Sequence, residues 1–298
     1  MRLRLYLAGL LMAMLALVIV AQPKMRPRVQ PRTLTIATEP GAIVWLDEIR
    51  RGVTDTGGKL PLTVSPGAHT LRVRAKGFKE ITMPIAASAR GEIKVRLLRV
   101  TDNAELLFQK AETARESAKS DQDRQDAADL YRQTLRIRPA YPAAHVGLAR
   151  VLMDLNDTDG ALAEIEAARR YRPAYPEASA VEGRVYRETG QTDDAIGSFN
   201  RAIRESHGFQ PEAHVGLGRT YEEKGQYDLA AREFQIAINQ LADTEPIIYQ
   251  LLGAAYEKSG NPKEAIVAYE NYLRLAPNGS LAPAVRSILE QLREQPPN

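Results

Sequence analysis

The chain has 298 residues, 44% apolar and 26% charged, enough for one large domain or two ordinary ones. It has no cysteine, which excludes disulfides, thiolate metal sites, a cysteine nucleophile and a lipid-modified N-terminal cysteine. The net charge of +3 is unevenly spread: residues 1–100 carry 17 Lys/Arg against 6 Asp/Glu, and residues 101–298 carry 23 against 31. That split indicates two modules, and the acidic larger one argues against a nucleic-acid partner, because it would repel phosphate.

The first predicted element is a signal peptide or membrane anchor over residues 1–21. Arg2 and Arg4 precede a 17-residue run without charge, Leu5 to Ala21. As a helix the run would span about 25 Å, slightly short of the roughly 30 Å hydrocarbon core. Ala21 supplies a small residue for cleavage, but Ile19 is bulkier than a signal peptidase prefers and no polar region precedes the cut. Those features favour an uncleaved anchor over a cleaved signal, with the periplasmic side of a cell envelope favoured for the rest. Lys24, Arg26, Arg28 and Arg32 follow the run and outnumber Arg2 and Arg4, so the orientation stays open. Residues 22–32, with Pro23, Pro27 and Pro31, read as a stiff basic linker.

Residues 33–100 read as a small all-β sandwich. Short runs such as AIVWLD, HTLRVRAK and EIKVRLL are separated by turn signals, and EPGA (39–42) and SPGA (65–68) place proline before glycine as a type II turn prefers. Leu71, Val73 and Ala75 alternate with Arg72, Arg74 and Lys76, and Ile93, Val95 and Leu97 with Lys94 and Arg96, which marks half-buried strands. The stretch EPGAIVWLD, Gly52, Thr54 and SPGAHTLRVRAKGF together resemble a PEGA domain, with Glu48 and Asp55 departing from that family's glycine and proline. The resemblance implies an exported protein of bacterial or archaeal envelopes. Trp45, the only tryptophan, is either a core residue or a platform for stacking a sugar. The Arg72/Arg74/Lys76 and Lys94/Arg96 rows make a face that is either solvated or set against anionic headgroups. His69 is given no role.

Residues 101–298 read as helical repeats. The string RPAYP occurs at 138–142 and 172–176; Ala127, Ala161 and Ala195 recur every 34 residues, and Ala230 and Ala265 follow at intervals of 35. Four residues after each alanine stands a large side chain: Tyr131, Ile165, Phe199, Phe234 and Tyr269. Pro142, Pro176, Pro211 and Pro246 open first helices, where the missing N–H costs nothing, and Gly190, Gly225 and Gly260 mark the turns to second helices. Small slots at Ala149, Gly183, Gly218 and Gly253 let helices approach closely. This pattern closely resembles the tetratricopeptide repeat. The expected units are about 108–141 (degenerate, fitting only with an extra helical turn near ESAKSDQDRQ), 142–175, 176–210, 211–245 and 246–279, with a capping helix at 280–295.

The resemblance implies a concave surface that binds a protein or peptide. Arg150, Arg184 and Arg219 occupy one slot of successive first helices. They form either a guanidinium ladder for an acidic peptide or chain-terminal carboxylate, or intrahelical pairs with Asp154, Glu188 and Glu223. His145 and His214 share another slot and read as packing residues, since they stand in different repeats; His207 lies in a loop. No nucleophile elbow, phosphate loop, cofactor pattern or zinc spacing is present, and DTGG at 55–58 lacks the second copy an aspartic protease needs. The expected function is therefore a non-enzymatic, envelope-associated scaffold or adaptor. The alternative is a binder of carbohydrate or envelope polymer through the β module, with the repeats mediating oligomerisation.

Overall fold

A computed structural model describes residues 32–47, 49–64, 67–241 and 245–294. The expected anchor at 5–21 and the linker to residue 31 lie outside the described residues. Among the described residues no helix is long and apolar enough to cross a membrane.

The described residues begin with seven strands: β1 (Arg32–Ala37), β2 (Ile43–Leu46), β3 (Ile49–Val53), β4 (Lys59–Val64), β5 (His69–Arg74), β6 (Ile81–Ile85) and β7 (Gly91–Lys94). They form a three-stranded sheet of order β4-β1-β7, with β1 and β7 parallel, and a four-stranded antiparallel sheet of order β3-β2-β5-β6. Leu34, Ile36, Val44, Leu71, Val73 and Val95 fill the space between them, drawn from the apolar side of each alternating run. The EPGA turn is fixed by Thr54, whose hydroxyl donates to the Glu39 carbonyl (2.7 Å) and accepts from the Ala42 N–H (2.8 Å). Asp55 closes the next loop by accepting from the Gly57 and Lys59 N–H groups, so the DTGG string is a turn cap.

Eleven helices follow among the described residues: α1 (Asn103–Ser117), α2 (Asp121–Ile137), α3 (Pro142–Asp154), α4 (Thr158–Tyr171), α5 (Pro176–Glu188), α6 (Thr192–Glu205), α7 (Pro211–Glu223), α8 (Tyr227–Leu241), α9 (Pro246–Lys258), α10 (Pro262–Leu275) and α11 (Ala282–Glu294). The first ten form five antiparallel pairs. Tyr131, Ile165, Phe199, Phe234 and Tyr269 are all buried between them. The small slots are sterically obligatory: a Cβ at Gly183 would lie 2.7 Å from the Phe199 ring, and one at Gly218 would lie 2.4 Å from Phe234. Gly190, Gly225 and Gly260 take positive φ at the turns, and Asn156 (φ 61°) does so between α3 and α4. In the first pair Ala118, Lys119 and Ser120, inside the ESAKSDQDRQ stretch, form the turn itself. Ser120 and Asp123 build a capping box that starts α2, and α1 begins earlier, at Asn103.

First helices α1, α3 and α5 touch their successors α3, α5 and α7 directly, whereas no comparable contact joins the second helices α2, α4, α6 and α8. The array therefore closes toward its first helices and splays on the other side. The β module seats on α1 through Gln109, which accepts from the Gly77 N–H (3.1 Å) and donates to the Phe78 carbonyl (2.7 Å).

Candidate functional site: the inner groove

The inner surface divides into two halves with different electrostatics. Toward α1 the charges are paired among themselves. Glu112 is hydrogen-bonded by Tyr131 and Arg115 and lies 3.6 Å from Arg74 of the β module. Burial works against its charge, but Arg115, the Tyr131 hydroxyl and Arg74 hold its carboxyl below the ordinary range. Arg150 reaches from α3 past α5 to α7 and grips Glu212 with both nitrogens, at 2.8 and 2.9 Å. The Arg150 side chain is only 22% exposed. Burial disfavours both charges; their mutual attraction and the fork of hydrogen bonds outweigh it, raising the Arg150 pKa and lowering that of Glu212, with help from Arg184 and Arg115.

The first arginine of the slot is thus consumed inside the protein, by an acid 62 residues away and not by Asp154. Arg184 lies 3.6 Å from Asp154 and 3.8 Å from Glu188, beyond hydrogen-bonding reach, and such pairs contribute little. Arg219 is exposed and makes no ion pair among the described residues. The neighbouring Arg187 donates to Glu223 at 2.9 Å. Of the three expected intrahelical pairs, only Arg184 with Glu188 is close.

Beyond the Arg150–Glu212 clamp the groove opens into a cavity of ≈ 610 Å³ between α5, α7 and α9. Arg184, Arg187 and Arg219 stand on its wall, with Glu188, Glu212 and Glu245; Val215, Ile247, Ile248 and Leu251 give it an apolar floor. Glu212 is already neutralised by Arg150. The cavity thus offers guanidinium groups beside an aliphatic surface, a combination suited to a ligand carrying carboxylate and apolar groups together. Arg187, Ile247 and Leu251 were not singled out from the sequence; the heptad-like spacing of Val215 and Arg219 on one helix and the run PIIYQLL on the next were the available signals.

The other expected residues have structural partners. His145 Nδ1 lies 2.6 Å from Glu164, and its Nε2 lies 2.8 Å from the Pro139 carbonyl. Both partners accept, so the ring fits best as a cation; burial opposes the charge, but Glu164 and the carbonyl raise its pKa. His214 meets Glu233 at 2.7 Å in the equivalent arrangement two repeats on. His69 meets Asp47 at 2.5 Å. Among the described residues no group of three or more potential ligands could hold a metal. Trp45 is 8% exposed, with the Arg72 guanidinium over its ring at 4.3 Å and Arg74 at 5.2 Å, so the face a sugar would stack on is covered.

Family models described as tetratricopeptide repeat match residues 116–179, 146–211 and 180–246, and another matches 246–278. No curated protein matches the chain. Among solved structures, a thermophilic TPR protein of Thermus thermophilus is similar at 21% identity, covering 64% of this chain and 100% of that one, with a TM-score of 0.52. The protein pilF of Pseudomonas aeruginosa is similar at 15% identity, covering 63% and 91%, also with a TM-score of 0.52. At these identities the likeness concerns the fold alone.

Proposed function

Because the chain belongs to the tetratricopeptide-repeat family over residues 116–278, we propose that it is a scaffold that holds an acidic, partly apolar segment of a protein partner in the α5–α7–α9 cavity. Tetratricopeptide arrays are in general non-enzymatic interaction scaffolds, and the groove is their binding surface. The observation that carries the finer reading is the cavity wall itself: Arg219 without an ion-pair partner, Arg184 only loosely engaged, and an aliphatic floor beneath them. Two charge-assisted contacts of ~1.5–3 kcal/mol each supply a large part of the roughly −8 kcal/mol of a micromolar complex. The Arg150–Glu212 clamp restricts the acidic ligand to the half of the groove toward α9.

The scaffold is tethered to a cell envelope in this reading, with the β module as spacer between membrane and array. The support is the uncharged run Leu5–Ala21 and the resemblance of residues 33–100 to PEGA modules. Selection of random peptides against the full chain tests the groove: enriched sequences should combine Asp/Glu with a large aliphatic residue. Arg184→Glu/Arg219→Glu should release them. Enrichment of basic or uncharged peptides, or binding unchanged in that variant, would refute the reading.

A further inference from the structure

We propose that the outward face of the small sheet, where Leu98 stands among Lys79, Lys94 and Arg96, docks on an anionic lipid surface. Val95 and Leu97 point into the sandwich core, so Lys94, Arg96 and Leu98 share the outer face. A short antiparallel pairing continues beyond β7, with Phe78 opposite Arg99, the Lys79 N–H donating to the Leu98 carbonyl and the Val100 N–H to Gly77. That register puts Lys79 directly across from Leu98, on the same side. Leu98 is 68% exposed, more than any other large apolar side chain among the described residues.

None of the three cations around it makes an ion pair among the described residues, and Lys94 feels Glu92 only through a weaker attraction than Lys59 does. Glu92, the acid on the same row, is taken by Lys59 at 2.9 Å, and Glu80, next to Lys79, is taken by Arg74 at 2.7 Å. The rest of the face is Thr33, Thr35 and Ala37 of β1, with Thr63, Pro61 and the Glu92-paired Lys59 of β4 opposite them. A face of small residues, basic on one edge and tipped with one leucine, suits a charged plane better than a shaped protein partner. The charge asymmetry of the chain agrees: residues 32–100 carry 12 Lys/Arg against 6 Asp/Glu, while the array is acidic. An anionic bilayer attracts the first and repels the second, which turns the array away from the lipid. The Arg72 and Arg74 row, by contrast, is spent on Trp45, Glu80 and Glu112. Three cations and a leucine bind weakly on their own, and a tether at residues 5–21 makes the contact intramolecular; in that respect the proposal rests on the tethered reading.

The absence of cysteine makes the test clean, since Leu98→Cys gives a single site for an environment-sensitive fluorophore. The labelled full chain is placed in vesicles of phosphatidylcholine alone, or with phosphatidylserine. A blue shift and quenching by brominated acyl chains are expected only in the anionic vesicles, fading with salt, and the same label at Val267→Cys should not respond. Each cation removed should weaken the contact about fivefold, and Lys79→Glu/Lys94→Glu/Arg96→Glu should abolish it. Identical emission in the two vesicle types overturns the proposal. So does a response to soluble polyglutamate without one to lipid, which would make the face a dock for an acidic protein. Flotation with neutral vesicles reads the tether separately, so its failure is distinguishable from failure of the face.

Discussion

Replacing Glu182 with leucine restores what the other repeats carry at that slot, Leu148, Leu217 and Leu252, and is nevertheless expected to destabilise the array. Glu182 is 9% exposed and accepts from Arg169 at 2.6 and 3.2 Å, from Ser198 at 2.7 Å and from Arg201. Removing one partner of a buried ion pair costs ~3–5 kcal/mol, because the other charge stays desolvated. The new leucine returns ~1.5–3 kcal/mol of burial, and Arg201, at the edge of the cluster, can turn to water. The net expected loss is therefore about 2 kcal/mol, or roughly 4–8 °C in midpoint for a unit of this size. Arg169 stands where Leu135, Ile203, Ile238 and Leu273 stand in the other pairs. Glu182→Leu/Arg169→Ile should accordingly recover wild-type stability or exceed it. Urea unfolding followed by helical circular dichroism on Glu182→Leu, Arg169→Ile and the double variant completes the cycle. A single Glu182→Leu variant as stable as wild type would refute the reasoning, because the cluster would then not be a desolvated one.

Gly216→Ala, which gains ~1 kcal/mol in an exposed helix, should lose about 1–3 kcal/mol here, because its Cβ would sit 2.3 Å from the Phe199 ring; thermal melts decide, and Phe199→Leu should partly rescue it. The His145 pKa is raised in the folded chain, so its contribution is complete below the ordinary value of 6.5 and is lost as pH rises through the folded value. The stability difference between wild type and His145→Gln should therefore shrink from neutral to alkaline pH in urea titrations. Glu212 behaves in the opposite sense. Its lowered pKa stabilises above the ordinary 4.5 and fails as pH falls through the folded value, so the gap between wild type and Glu212→Gln should close on acidification.

The repeat architecture was legible because the units reuse one contact: a small residue on one helix admits a large side chain from the next, and Gly183 with Phe199 or Gly253 with Tyr269 can be read as a spacing. The β sandwich was legible for the same reason, through the alternation at Leu71, Val73 and Ala75. The groove was only partly so. Periodicity placed Arg150, Arg184 and Arg219 in one slot, but it could not show that Glu212, 62 residues from Arg150, closes the first of them. That pairing depends on how far the first helices draw together, a property of curvature that no local pattern encodes. Trp45 and Arg72 make a parallel case, since they lie on paired strands β2 and β5 and only the register brings the guanidinium over the indole. Leu98 was passed over because its neighbours Val95 and Leu97 made the segment read as an ordinary core strand.

The central claim, that the array receives a partner in the α5–α7–α9 cavity, is tested most directly by photo-cross-linking from within it. A photoreactive residue at Ile247, on the cavity floor, is compared in cells with one at Val267, which is 57% exposed on α10. The account predicts a discrete cross-linked product from Ile247 that disappears with Arg184→Glu/Arg219→Glu, and none from Val267. A product from Val267 alone, or one from Ile247 that survives the charge reversal, would contradict it.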